Sequence, residues 1–260
     1  MNSLKLISLV SLGLVLFYNQ SFFENVSKYY IVSAANLPFI ISLGILLFVI
    51  HFIVMLFLDF PFVLKIVLVP VLLVSSLAAY VMDNFHYMID YQVFRIILET
   101  NFKEALEFIN LYMLLYFLIL GLIPATLIMR MKINHMSIKS KLKYLLIAFV
   151  VLAADVGLMG KSYADFFRNH KPVRYYTNPI TYLYSIVKFT KIQFKNRNIK
   201  FTKIGLDAKR SERDAVDKKQ LVVLVVGETA RAKNFSLNGY ERKTNPLLED
   251  ISTLVSLKEV

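Results

Sequence analysis

The sequence predicts an α-helical membrane domain of five transmembrane helices, followed by the start of an α/β domain. Three observations predict it: apolar residues gathered into five long blocks, basic residues concentrated in short connections, and a switch near residue 220 to a brief β-branched run. Hydrophobic residues make up 57% of the chain, and their distribution in blocks, without helical or strand periodicity, is that of a bilayer-spanning protein. Cysteine is absent, which excludes disulfides and thiolate metal sites, so any metal must take O or N ligands. The net charge of +12 is read as topology and lipid head-group attraction, with no nucleic-acid partner.

The blocks cover residues 4–22, 37–58, 62–81, 111–129 and 142–159, each near the length of about 20 helical residues that crosses a hydrocarbon core. Lys5 before the first block has the outline of a signal peptide. No small-residue cleavage site follows, so the block is read as a retained helix. The connection after the fourth block carries Arg130, Lys132, Lys139, Lys141 and Lys143 without an acid, which marks it as cytoplasmic. Counting back places the N-terminus and the Asp59-Phe60-Pro61 turn inside. The two longer connections and everything after residue 159 fall outside.

Within the blocks, His51 and Asp155 are ionisable at membrane depth, where such groups are costly. His51 is expected to be a neutral imidazole bonded to a neighbouring helix. Asp155, about one turn from the outer end of its block, is expected to meet water or a lipid ammonium, and Lys65 to snorkel. In the connection 82–110, Phe94, Ile97, Leu98, Leu106 and Ile109 alternate with Asp90, Arg95, Glu99, Lys103, Glu104 and Glu107, the pattern of helices lying at a surface.

Residues 161–219 hold 15 Lys or Arg against 5 Asp or Glu, interleaved with Phe and Tyr. Rings and cations together suit the membrane–water boundary, so this part is read as an interfacial linker whose polar end, 196–219, is flexible. At residue 220 a second domain is expected to begin. Leu-Val-Val-Leu-Val-Val-Gly from Leu221 is the run of a strand buried on both faces of a parallel sheet. Glu228 would then project from the carboxyl end of that strand, where α/β sheets place ligands. Position alone leaves two roles open for it, a solvated or capping carboxylate and a hard oxygen ligand. Thr229 would cap a helix beginning at Ala230 and Arg231.

Val-Val-Gly-Glu-Thr-Ala-Arg-Ala, followed by the segment from Asn234 to Pro246, is similar to the opening of the phosphoethanolamine transferase catalytic domain. Two further stretches carry the same resemblance. One runs from Ser162 to Lys171 and on to Asn178-Pro179, and the other is Glu99-Thr100-Asn101-Phe102-Lys103-Glu104-Ala105. The family includes the lipid A phosphoethanolamine transferases and the mobile colistin-resistance enzymes. The resemblance implies a sulfatase-like fold of the alkaline-phosphatase superfamily for the second domain, of which this chain would hold only the first strand. It implies zinc as cofactor with Glu228 as one ligand. The nucleophile is implied to be a Thr beyond residue 260, so that these residues hold no catalytic residue and transfer nothing alone.

It further implies Thr100 and Glu104 as contacts for the ethanolamine of a phosphatidylethanolamine donor, with lipid A or another surface glycan as acceptor. The setting implied is the bacterial inner membrane, the catalytic part periplasmic, and a monomer is expected. One departure stands out. Ile96 occupies a position where the family has Asn, which removes a donor and an acceptor from the donor contact. Asn101 and Glu104 also have the spacing of a helix-capping pair, so lipid contact and capping both stay open. A phosphoglycerol transferase or a non-catalytic membrane protein would share the membrane plan.

Overall fold

The computed structural model describes residues 1–197, 202–208, 221, 223–227 and 230–256. It divides into two units, Met1–Lys200 and Phe201–Val260. Among the described residues every regular element is helical, and the one β-type pairing is a single bridge between Asn2 and Asn134.

The first unit is a helical bundle. Helix α1 (Ser3–Phe17) starts where the Asn2 side chain accepts from the Leu4 amide. Contrary to the sequence expectation of one straight span over 4–22, it ends at Tyr18, and α2 (Gln20–Tyr29) leaves at 52°. The cause is polar. The Asn19 side chain, almost wholly buried, shares the Leu14 carbonyl with the Tyr18 amide, bonding to it at 2.8 Å, and a side chain inserted at the ladder's end bends a helix.

Helix α3 (Leu37–Phe57) opens with Pro38 in its first turn, where the missing N–H costs nothing. Helix α4 (Val63–Phe85) follows a tight turn. The short helices α5 (Tyr91–Glu99) and α6 (Phe102–Glu107) occupy the connection expected to be helical, and each starts on a side-chain cap, Asp90 and Asn101 respectively.

The fourth apolar block is not one uniform helix. It runs as α7 (Leu111–Tyr116), a π-helical turn (Phe117–Leu122) and α8 (Ile123–Arg130). Pro124 has no amide hydrogen for the carbonyl four residues back, that of Leu120. The Tyr18 hydroxyl from the α1–α2 break donates to that carbonyl instead, so two irregularities satisfy each other. Helix α9 (Ile138–Asn169) is 32 residues long, roughly 48 Å, well beyond a hydrocarbon core of about 30 Å. Its final turns therefore absorb the beginning of the expected linker. A 3-10 turn (Lys171–Tyr176) and helix α10 (Ile180–Asn196) follow in its remainder.

Among the described residues four helices are long and apolar enough to cross a membrane, and the bent α1–α2 pair, taken as one span, brings the number to five. Leu6, Ile7, Leu14, Leu64, Leu68 and Ile128 pack one core; Phe22, Val26, Phe39, Leu43 and Phe166 pack a second. Leu146, Val150 and Leu158 of α9 are more than half exposed, an apolar surface suited to acyl chains.

Asp59, fully buried in the α3–α4 turn, ties the bundle at one end. It accepts from the Ser3 hydroxyl (3.0 Å), His135 Nδ1 (2.6 Å) and the Met136 amide (3.2 Å). Lys141 Nζ lies 3.7 Å from its carboxylate and donates to its carbonyl. At the same end Lys65 extends to the Met129 and Met131 carbonyls at 2.9 and 2.6 Å, closing the C-terminus of α8.

The hydrogen bond expected of His51 is not made. The ring is buried on α3, and neither nitrogen has a partner among the described residues. An unsatisfied buried polar group costs about 1–3 kcal/mol. His51→Leu is therefore expected to raise the stability of the detergent-solubilised protein by about that amount, read from thermal unfolding.

The second unit is described in part. Two 3-10 turns (Ala232–Asn234 and Ser236–Asn238) and the short helix α11 (Pro246–Glu249) surround the Thr244 hydroxyl, which accepts from the Ser236 amide and donates to the Asn234 carbonyl. Gly239, at φ +97°, makes the return, a conformation open to glycine without strain. The expected strand is not formed: Leu221 and 223–227 carry no ladder bonds, and their apolar side chains are largely exposed. A parallel strand exists only through neighbours that pair with it, and the described residues supply none. Nor does an α-helix begin at Ala230 and Arg231, where the backbone turns as 3-10 from Ala232.

Candidate functional site

Polar contacts gather the end of the bundle at which α4 finishes. Asn19 and Asn178 are both buried and face each other across 159 positions of sequence: the Asn178 amide donates to Asn19 Oδ1 (2.8 Å), and Asn19 Nδ2 donates to the Asn178 carbonyl (2.6 Å). Asn178 Nδ2 continues to the Ser75 carbonyl on α4 at 2.8 Å. The Ser75 hydroxyl lies 3.2 Å from that of Tyr182 on α10. Burial pushes the Tyr182 hydroxyl up to about 12, so it keeps its proton at neutral pH as a donor to the Val71 carbonyl. Beside this chain, Asp83 accepts from the Ser21 amide (3.1 Å), the Ser21 hydroxyl (2.6 Å) and the Tyr116 hydroxyl (3.3 Å). Helices α2, α4 and α7 are thereby fixed to one carboxylate.

This clamp positions α10, and α10 positions the loop helices. The Ser185 hydroxyl donates to the Ile89 carbonyl (3.0 Å), and the Tyr176 hydroxyl to that of His86 (2.8 Å). Phe189 packs edge-on against Phe94 of α5 with ring centroids 5.6 Å apart, and Lys188 lies over the Tyr91 ring.

Thr100 and Glu104 stand on the corner between α5 and α6. The Thr100 hydroxyl donates to the Ile96 carbonyl at 2.7 Å, closing α5. Asn101 accepts from the Glu104 amide at 3.0 Å, so the Asn101 half of the capping expected of this pair is present, and among the described residues the Glu104 carboxylate makes no return bond to the Asn101 amide. The Glu104 carboxylate is exposed, and no ion pair reaches it among the described residues. Ile96 is 61% exposed on the same corner.

Glu228 and its neighbour Thr229 lie outside the described residues. A zinc site needs three or four ligands, and among the described residues no group of three His, Asp or Glu side chains comes together.

The family model for the phosphoethanolamine transferases EptA and EptB matches residues 47–194, the stretch from α3 to α10 just described. The phosphatidylethanolamine transferase Mcr-2 of Escherichia coli is 33% identical over the whole of this chain and 49% of its own length. The chain belongs to the phosphoethanolamine transferase family. Mcr-1 of Escherichia coli, another phosphatidylethanolamine transferase, is 30% identical over 98% of the chain and 48% of its own length. The integral membrane lipooligosaccharide phosphoethanolamine transferase EptA of Neisseria meningitidis superposes with a TM-score of 0.83 at 29% identity, over 94% of this chain and 46% of that one. The chain thus spans about half the length of the phosphoethanolamine transferases it matches.

The polar clamp of this family member escaped sequence reasoning. Asn19 and Asp83 fall in or beside apolar runs, where a polar residue signals an internal bond. That signal locates the residue and leaves its partner undetermined. Asn178 lies in the linker stretch that carries the family resemblance, without any local sign that its amide meets Asn19.

Proposed function

We propose that the full-length protein transfers phosphoethanolamine from phosphatidylethanolamine to lipid A or a related surface glycan. The present residues are its inner-membrane part, with the N-terminus cytoplasmic and the residues after α9 periplasmic. Family membership over the entire helical unit is the observation that supports this reading. Both substrates are lipids, so anchoring the chemistry in their leaflet raises their effective concentration. Basic side chains along 161–197 add attraction for anionic head groups.

The Glu104 carboxylate, exposed and without an ion-pair partner among the described residues, receives the donor's ammonium. The Thr100 hydroxyl keeps a lone pair free for a second hydrogen bond while it closes α5. Ile96 contributes apolar contact in place of an amide. In the sulfatase-like catalytic domain, which Leu221 opens, Glu228 serves as one zinc ligand. The phosphoethanolamine is carried by a Thr outside these 260 residues.

The test is transfer by the full-length enzyme supplied with labelled donor lipids. Glu104→Ala and Thr100→Ala are expected to lower turnover at limiting phosphatidylethanolamine about tenfold, the loss of one charge-assisted hydrogen bond. Glu228→Ala is expected to lower zinc content and turnover about 10–100-fold. Diacylglycerol release from phosphatidylglycerol alone, or full activity of Glu228→Ala, would overturn the reading.

A further inference from the structure

Asp155 is a charge that the bundle buries without a cation. Its side chain on α9 is 9% exposed, and no ion pair reaches it among the described residues. The Tyr163 hydroxyl donates to Oδ2 at 2.7 Å. With that proton committed, the Tyr163 oxygen receives the hydroxyl of Ser42, 2.6 Å away on α3. Both hydroxyls thus point along one chain that ends on the carboxylate. Its other oxygen has no hydrogen-bond partner among the described residues.

The same carboxylate lines an open groove of about 490 Å³ between the start of α3 and the outer half of α9, with Ile41, Ile45, Leu158 and Met159 as apolar walls. That volume falls within the range of about 300–1,000 Å³ for ligand sites. The groove lies where the apolar block of α9 ends, two residues before Lys161, at the depth where head groups begin. A charge buried at this depth is costly unless it is paired. The missing partner must combine a compact N–H cation with an apolar chain. A quaternary ammonium offers no N–H, and an anionic head group is repelled.

We propose that the groove between α3 and α9 binds a phospholipid with a primary ammonium head group, its nitrogen on Asp155 and an acyl chain along Ile41, Ile45 and Leu158. The site requires a bilayer and no transfer chemistry, so it stands independently of the activity proposed above.

The chain carrying Glu104→Ala, which removes the ammonium contact proposed above and serves as the parent here, is purified in detergent, loaded in turn with phosphatidylethanolamine, phosphatidylcholine and phosphatidylglycerol, and examined by native mass spectrometry for the most tightly retained lipid. Phosphatidylethanolamine is expected to be retained about tenfold better than phosphatidylcholine, the worth of one charge-assisted hydrogen bond. Asp155→Asn, which still accepts from Tyr163, is expected to abolish that preference. Ile41→Trp fills the groove without touching the polar chain and is expected to displace the lipid with Asp155 intact. Equal retention of the two zwitterionic lipids by the parent chain, preference for phosphatidylglycerol, or undiminished retention in either variant would overturn the proposal. If Asp155→Asn fails to fold, the Ile41→Trp result decides.

Discussion

Asp59→Ala is expected to destabilise the helical unit by about 3–5 kcal/mol, the range for breaking a buried charge pair by removing one partner. The carboxylate is wholly enclosed and joins the first residues of α1, the α3–α4 turn and the start of α9 through Ser3, His135, Met136 and Lys141. Removing it leaves the Met136 amide and the Ser3 hydroxyl without their acceptor, and leaves the Lys141 ammonium, which keeps the backbone carbonyl of residue 59, without its counter-charge. Asp59→Asn keeps one oxygen for the Met136 amide and the Ser3 hydroxyl but removes the charge, so its loss is expected to fall between parent and Asp59→Ala. Equilibrium unfolding in detergent measures both. An Asp59→Ala variant as stable as the parent would show that water replaces the carboxylate and that the cluster does not tie the helices.

Asn19→Leu is expected to have a comparable effect through a different route. The substitution preserves side-chain volume while leaving both backbone groups of Asn178 unpaired in a buried position; the Leu14 carbonyl keeps the Tyr18 amide. At about 1–3 kcal/mol for each of the two buried groups left unsatisfied, the expected cost is about 2 kcal/mol or more. Because Asn178 is fixed to α4 through Ser75 as well, the damage is expected to be local before it is global, with the Lys171–Tyr176 turn and the start of α10 detaching first. Hydrogen exchange at the Asn178 amide, together with limited proteolysis between residues 170 and 180, reads this directly. An amide as protected in Asn19→Leu as in the parent would refute the clamp.

These variants bear on how far the fold was readable. The apolar blocks at 37–58 and 62–81 appear as α3 and α4 with ends shifted by a few residues, because bilayer thickness sets the length of any spanning helix. The loop helices were legible from amphipathic spacing and from the capping pair at Asn101 and Glu104; the cap at Asp90 was seen only in the structure. The break at Tyr18–Asn19 was not legible, since it depends on Asn178 and Leu120, residues more than a hundred positions away. The strand expected at Leu221 failed for a related reason: β-branched composition states a preference, and only a paired neighbour realises it. Thr100 and Glu104 were named from the resemblance, and the structure adds that the hydroxyl and the Glu104 amide already serve the helix ends.

By itself, the sequence determined the membrane class, the approximate position of the spanning helices and the family, because hydropathy over about 20 residues and short motifs are local quantities. Only the tertiary structure decided which buried polar groups have partners. Asp59 and Asn19 are satisfied by groups from distant elements, while among the described residues His51 has no partner and Asp155 faces a groove with one oxygen still open. A hydrogen bond is fixed by distance in space, and separation along the chain carries almost no information about it once helices pack side by side.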